Sequence, residues 1–221
     1  MLRYPFFIVL GMLLTLMACG NSGPDKEGAH GPPPKKPDNR PVILAFGDSL
    51  TAGHGVPLAG SYPSRLQTEL DRLGYPYRVV NAGVSGDTTS GGLSRIDFAL
   101  AEKPRIVILE LGANDGLRGI PVREARQNIE QMIRKSQGAG ATVVLAGMTL
   151  PLNLGPDYIR DFESMYTDLA KKYKLTRIPF FLDGVAAKED LNQPDGIHPT
   201  SKGYAVVTQN VLKYIEPLLE R

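Results

Sequence analysis

The sequence contains a single cysteine and only three histidines, and its charges nearly cancel, with a formal net charge of +2 over 221 residues. One cysteine, Cys19, excludes an intramolecular disulfide and a thiolate metal site. The small net charge, without a basic cluster interleaved with aromatic residues, argues against a nucleic-acid partner. We therefore expect the ligands to be neutral or lipidic small molecules.

The first forty residues form a different kind of sequence. After a short positive start, residues 4–18 are almost wholly apolar, which is typical of a signal peptide (1–18) and too short for a comfortable membrane span. The run ends in Leu16-Met17-Ala18-Cys19-Gly20, which resembles the bacterial lipobox, where Cys19 would become the lipidated first residue. Ordinary secretory cleavage nearby, with Cys19 incidental, is the alternative. Residues 19–40 are rich in proline and glycine, contain His30, and predict a linker.

Lipidation at Cys19 would anchor the protein to a membrane of the bacterial cell envelope. Gly20 follows the cysteine, whereas an aspartate there tends to retain the Gram-negative lipoproteins that this segment resembles in the inner membrane. In a Gram-negative organism we therefore expect the periplasmic side of the outer membrane.

Short apolar runs alternate with helical periodicity from Pro41 onward. Strands are predicted at residues 42–46, 77–81, 105–111, 142–146 and 178–182, and the last helix is predicted to open at Pro199. Five such strands between helices predict a parallel sheet covered on both faces. We expect a single α/β domain over residues 41–221.

Polar residues typical of acyl transfer follow the predicted strands. Ser49 follows the first strand, Gly86 the second, Asn114 the third, and Asp195 and His198 the fifth. Ligands of open parallel sheets bind beyond the carboxyl ends of the strands, so these residues should share one edge. Each has an ordinary alternative as a turn or helix cap. Together they provide a nucleophile, a base, a carboxylate and oxyanion donors.

The motifs around these residues resemble the four sequence blocks of the SGNH (GDSL) hydrolase family. The blocks are Gly47-Asp48-Ser49-Leu50, Gly86-Asp87, Gly112-Ala113-Asn114-Asp115 and Asp195-Gly196-Ile197-His198-Pro199. Residues 81–87 and 110–119 resemble in particular its bacterial thioesterase, lysophospholipase and arylesterase branch. The resemblance implies a flavodoxin-like sheet of strand order 2-1-3-4-5. The lipobox and linker are not part of the family core.

The resemblance also implies roles for the site residues. Ser49 would attack the acyl carbonyl, His198 would take its proton, and Asp195 would orient the imidazole. The backbone N–H groups of Ser49 and Gly86 and the amide of Asn114 would form the oxyanion hole. No cofactor or metal is required. His54 is predicted to be a solvated loop residue that could line the pocket.

The chemistry of the site leaves several substrates open. Oxygen esters and thioesters are both feasible, and we favour fatty or aryl acyl groups in lysophospholipids, acyl-CoA or aryl esters. Leu150, Leu152 and Leu154 could contact an acyl chain, and residues 116–120 resemble a substrate loop. One alternative is an O-deacetylase of envelope polysaccharide, and another is an inactive envelope-binding module. No obligate protein partner is inferred.

The lipobox prediction is tested by Cys19→Ala. We expect this variant to lose incorporation of labelled palmitate while the domain stays folded and active, because the linker adds nothing to the fold. Metabolic labelling and membrane fractionation measure this. A mutant that is still labelled and fractionates as mature protein with membranes would show that the lipobox prediction is wrong.

Overall fold

A computed structural model describes residues 38–221, of which Asn39–Arg221 form one compact unit. The predicted signal peptide, Cys19, His30 and the linker up to residue 37 lie outside the described residues. Within the described part of the chain, no helix is both long and apolar enough to cross a membrane.

Five parallel strands form one sheet in the order β2-β1-β3-β4-β5. The fold is therefore the predicted α/β domain with flavodoxin-like strand order. The strands are β1 (Val42–Gly47), β2 (Arg78–Gly83), β3 (Ile106–Glu110), β4 (Thr142–Ala146) and β5 (Thr176–Ile178). Every residue of β1 and β3 is buried, which explains their continuous apolar sequences.

Helices cover both faces of the sheet. They are α1 (Ser49–Ala52), α2 (Tyr62–Leu73), α3 (Thr89–Leu100), α4 (Ala113–Leu117), α5 (Val122–Gly138), α6 (Pro156–Tyr173) and α7 (Ser201–Ile215). Helices α2 and α7 pack together, while α3, α5 and α6 pack side by side. Local signals set the ends: Thr88 caps α3 by accepting from the backbone N–H of Gly91, and Gly74 ends α2 in the left-handed conformation.

The predicted bounds of two elements near the C-terminus are wrong. The fifth strand ends at Ile178, because Pro179 follows it and cannot donate to a strand ladder. Phe181 and Leu182 are buried in turns instead, where the backbone N–H of Phe181 donates to the carbonyl of Gly147. The last helix begins at Ser201 with Thr200 as its cap, whereas Pro199 pairs with Asn192 in an isolated bridge.

A third correction concerns β2, which extends to Gly83 instead of ending at residue 81. At Gly83 the backbone of α1 approaches closely: a Cβ there would lie 2.2 Å from the backbone N of Ala52 and 2.6 Å from the carbonyl carbon of Thr51. Only glycine permits this approach, which holds α1 against the end of β2.

Replacement of Gly83 by alanine tests this close packing. We expect Gly83→Ala to lower the free energy of unfolding by about 1–3 kcal/mol, because backbone atoms must move to admit the methyl group. Gly138→Ala is the matched control, since no atom lies within 4 Å of its added Cβ at the end of α5. Equal unfolding midpoints in urea for the two variants would contradict the packing argument.

Candidate active site

The turn between β1 and α1 presents Ser49 at the carboxyl edge of the sheet. Asp48 caps α1, with its Oδ1 accepting from the backbone N–H of Leu50 at 3.0 Å. Asp48 is buried, whereas Ser49 is partly exposed. The serine hydroxyl is therefore accessible while the backbone that carries it is held in the interior.

Ser49, His198 and Asp195 form a hydrogen-bonded chain. Oδ2 of Asp195 lies 2.7 Å from Nδ1 of His198, and Nε2 of His198 lies 2.9 Å from Oγ of Ser49. Because an ionised carboxylate can only accept, the proton of a neutral imidazole sits on Nδ1, and Nε2 accepts from the serine hydroxyl. Three residues separated by up to 149 positions thus have the geometry of a nucleophile and its base.

The Asp195–His198 turn fixes both side chains. Oδ1 of Asp195 accepts from the backbone N–H groups of Ile197 and His198, each at 3.0 Å. The hydrogen bond from the His198 side chain is the main reason that the pKa of Asp195 falls to about 2. Asp195 is therefore ionised throughout the neutral range and can orient the imidazole by accepting from Nδ1.

The predicted oxyanion residues lie at the same edge. Ser49, Gly86 and Asn114 all line one cleft with His198. Nδ2 of Asn114 donates to Oδ2 of Asp48 at 3.1 Å, so the amide is oriented by the residue next to Ser49. Gly112, which precedes α4, has φ +122°, and a Cβ there would lie 2.3 Å from the hydroxyl of Tyr166. This backbone conformation brings Asn114 to the edge of the sheet.

The cleft has a volume of about 590 Å³ and a mostly apolar lining. Its apolar wall comes from the loops after β3, β4 and β5, with Leu117, Met148, Leu150, Leu152, Phe180 and Leu182. Leu150 and Leu152 thus reach the cleft as expected, whereas Leu154 packs against the core. Ser49 and His198 line this mostly apolar cleft, an arrangement suited to an acyl chain attached to a reactive carbonyl.

No group of three or more His, Cys, Asp or Glu residues within 38–221 is arranged to hold a metal ion.

Comparison with known proteins agrees with this geometry. Residues 45–206 match the GDSL-like Lipase/Acylhydrolase family. The chain is 43% identical to Esterase TesA of Pseudomonas aeruginosa, over 80% of this chain and 89% of that protein. It is 35% identical to Thioesterase 1/protease 1/lysophospholipase L1 of Escherichia coli strain K12, over 80% and 85%. A crystal structure of TesA superposes with a TM-score of 0.78 and covers 80% of this chain and 99% of that one.

The chain belongs to the GDSL-like lipase/acylhydrolase family. It is accordingly a hydrolase of ester bonds. Within this acylhydrolase, Ser49, Gly86, Asn114 and His198 line one cleft, as the common edge of a parallel sheet requires, and Asp195 bonds to His198 behind them.

Arg95 is a residue of this acylhydrolase that the sequence analysis missed. Its guanidinium donates to the carbonyls of Ala82 at 2.7 Å and Gly47 at 2.9 Å, and to Oδ2 of Asp87 at 2.7 Å. It also lies 4.0 Å from the ring centroid of Phe46. Arg95 therefore ties together the carboxyl ends of β1 and β2. Arg95 lies off the apolar face of α3, where a charged residue is ordinary, so no sequence signal identified it.

A buried pair of carboxyl groups was also missed. Glu110, at the end of β3, accepts through Oε2 from the hydroxyl of Thr51 at 2.8 Å and from the backbone N–H of Asp48 at 3.4 Å. Burial raises the pKa of Glu110, and it raises the pKa of Asp48 to about 6. Asp48 accepts from Leu50 and Asn114, whereas Oε1 of Glu110 has no partner among the described residues. Glu110 is therefore the better place for a proton at neutral pH.

His54 lies closer to His198 than predicted. It is exposed, as expected of a loop residue, but it lines the cleft, and its ring centroid is 4.5 Å from that of His198. Nε2 of Gln193 donates to the His54 carbonyl at 2.8 Å, which holds this loop beside the Asp195–His198 turn.

The raised pKa of Asp48 predicts a pH-dependent stability. The unfolded chain releases this proton near the ordinary pKa of 3.8, whereas the folded chain releases it near 6. Between these values the folded state binds more protons, so the free energy of unfolding falls as pH rises. We expect Asp48→Asn to remove about 1–3 kcal/mol of this fall between pH 4 and 6, measured by urea unfolding.

The control for this experiment is Asp97→Asn, because Asp97 is exposed on α3 and pairs with Lys135. Its unfolding profile should parallel that of the wild type. If Asp48→Asn also runs parallel to the wild type from pH 4 to 6, the buried carboxyl of Asp48 does not titrate as described.

Proposed function

We propose that this acylhydrolase cleaves long-chain or aryl acyl esters and thioesters through an acyl-enzyme on Ser49. The hydrogen-bonded chain from Asp195 through His198 to Ser49 is the observation that carries the proposal. Each group has the partner that its role requires: the nucleophile has a base, and the base has an ionised orienting carboxylate.

The reaction proceeds in two halves. Oγ of Ser49 attacks the acyl carbonyl carbon as Nε2 of His198 takes the serine proton, and the resulting imidazolium is stabilised by Asp195. When the bond between the carbonyl carbon and the leaving oxygen or sulfur breaks, His198 gives that atom its proton. A water molecule then attacks the acyl-enzyme, again losing its proton to His198, and Ser49 leaves with a proton restored.

The negative oxygen formed in each half needs hydrogen-bond donors. The backbone N–H groups of Ser49 and Gly86 and the side-chain amide of Asn114 supply them in this proposal. One N–H of Asn114 is engaged by Asp48 in the free enzyme, which leaves the other available to the substrate. Asp48 is therefore a positioning residue for this amide.

The cleft supports an acyl group larger than acetyl. A cleft of about 590 Å³ with leucine, methionine and phenylalanine along one wall would be left mostly unfilled by an acetyl group. This favours fatty or aryl acyl donors over an O-acetylated polysaccharide. The complete hydrogen-bonded chain likewise favours an active enzyme over an inactive binding module. The name of the Escherichia coli relative includes both thioesterase and lysophospholipase, and we extend both leaving-group types to this chain.

We also propose that lipid on Cys19 anchors the enzyme in the cell envelope. The support is the Leu16-Met17-Ala18-Cys19-Gly20 segment after an apolar run. The anchor would place an enzyme for lipid-like esters next to lipid.

Substitution of the three residues tests the mechanism. We expect Ser49→Ala and His198→Ala each to lower kcat for a p-nitrophenyl acyl ester by about 10⁴-fold or more, because each removes an essential step of nucleophile activation. Asp195→Asn should leave a small residual activity, since the base remains but loses its orienting charge.

Thermal unfolding of each variant provides the control for folding. Arg72→Met serves as a matched surface change, because Arg72 forms an exposed ion pair with Glu69 far from this chain of hydrogen bonds. Folded Ser49→Ala with wild-type turnover would refute the role of Ser49. Testing acyl esters from acetyl to palmitoyl then ranks the acyl groups, and highest kcat/KM on acetyl would contradict the proposed substrate class.

A further inference from the structure

The exposed large apolar side chains of this enzyme are concentrated at one edge. Six such residues occur in the described part of the chain, and five of them lie in the segments that connect the end of a strand to the next long helix. Each strand contributes one: Leu58 after β1, Val84 after β2, Leu117 after β3, Leu152 after β4 and Ile197 after β5. Phe98 on α3 is the exception. We call these five residues, Leu58, Val84, Leu117, Leu152 and Ile197, the apolar rim.

The apolar rim is continuous with the cleft. Leu117, Leu152 and Ile197 line the cleft and are also exposed to solvent, while Leu58 and Val84 are exposed but do not line it. An acyl chain entering the cleft therefore passes over apolar side chains on its way in. Scattered apolar residues on a surface need no explanation, but a group that follows the same ends of the strands and continues into a cleft indicates an interaction site.

The charges around the rim favour a phosphate-bearing surface. Four of the segments that follow the strands are 48–61, 84–88, 111–121 and 147–155. Among their Asp, Glu, Lys and Arg side chains, only that of Arg118 is exposed. The carboxyl groups in these loops do not oppose it, because Asp48 and Asp115 are buried and Asp87 is paired with Arg95. The loop at 179–200 is different, since it carries Asp183, Glu189, Asp190 and Asp195 against a single lysine.

We propose that the apolar rim docks on a lipid surface, with Arg118 at the phosphate groups and the acidic residues at 183–190 turned toward water. The proposal rests on the proposed function, because it supplies the route by which a lipid acyl ester leaves the surface and enters the cleft. Apolar side chains at the interface and a nearby cation together favour attachment to phospholipid.

The predicted anchor is long enough to permit this orientation. The described unit begins before Val42 at the amino end of β1, which is the edge of the sheet opposite the rim. The segment from Cys19 to Arg40 would span at most about 70 Å when fully extended. A domain of this size has a diameter of roughly 40 Å, so an anchored domain can turn its rim toward the same bilayer.

The test compares two sets of exposed apolar residues in the full chain carrying Cys19→Ala, which removes the predicted lipid attachment from every sample. Leu58→Ser/Val84→Ser changes the rim outside the cleft. Phe98→Ser is the control for the loss of an exposed apolar side chain. Phe98 is 88% exposed, compared with 73% for Leu58, but it lies on α3 and is not part of the rim. Binding is measured by flotation with phosphatidylcholine/phosphatidylglycerol vesicles at a 3:1 ratio.

We expect the double rim variant to bind these vesicles about tenfold more weakly than the Phe98→Ser control. The rate of hydrolysis of vesicle-borne lysophosphatidylcholine, divided by the rate for monomeric p-nitrophenyl butyrate, should fall by a similar factor in the double rim variant. Equal binding and equal ratios in the two variants would overturn the proposal. So would a change of the double variant from dimer to monomer in sedimentation, which would identify the rim as a contact between copies of this chain.

The two proposals fail in different ways. Vesicle flotation does not require catalysis, and it can be repeated with Ser49→Ala added to each sample. An enzyme that hydrolyses neither ester refutes the proposed function whatever it binds. Normal hydrolysis of both esters with no effect of the rim variant refutes the docking proposal alone.

Discussion

The turn that carries Ser49 depends on a network of buried polar contacts at the carboxyl ends of β1, β2 and β3. Glu110 at the end of β3 accepts from Thr51 and from the backbone of Asp48, and Arg95 donates to the ends of β1 and β2. Buried polar groups are costly unless their hydrogen bonds are made, so this network permits one arrangement of the turn. The carboxylate of Asp48 extends the network to Asn114, which links the serine to the residue expected to bind the oxyanion.

The parallel sheet separates the polar side of the site from its apolar side. The loops after β1, β2 and β3 carry Ser49, Gly86 and Asn114, and those after β4 and β5 supply much of the apolar wall. The Asp195–His198 turn lies beyond β5 in sequence but returns to the end of β1, where His198 contacts Ser49. An acyl carbonyl can therefore sit at the centre of the sheet edge while its chain lies along the apolar wall.

The same edge also determines how substrate would arrive. Lipid esters are held in aggregates by their acyl chains, and an enzyme acting on them gains from apolar contacts that lead into the cleft. The apolar rim supplies such contacts, and its exposed side chains are distributed one to a strand. Lipidation at Cys19 would act on a longer scale, by keeping the domain near lipid, whereas the rim would act at contact distance.

Local signals in the sequence determined the fold class, four of the strands to within a few residues, the capped ends of α2 and α3, and the residues brought to the common edge. These depend on periodicity, on caps and on a parallel topology that places every strand end together. The predicted end of β5 was wrong because apolar Phe181 and Leu182 are buried without being in a strand. The predicted start of α7 was wrong because Thr200 caps the helix with its side chain, which Pro199 cannot do. Arg95, Glu110 and the proximity of His54 to His198 were decided only by the tertiary structure. Their partners are distant in sequence, up to 144 positions apart for the two histidines, and the burial that raises the pKa of Asp48 exists only once the sheet has assembled.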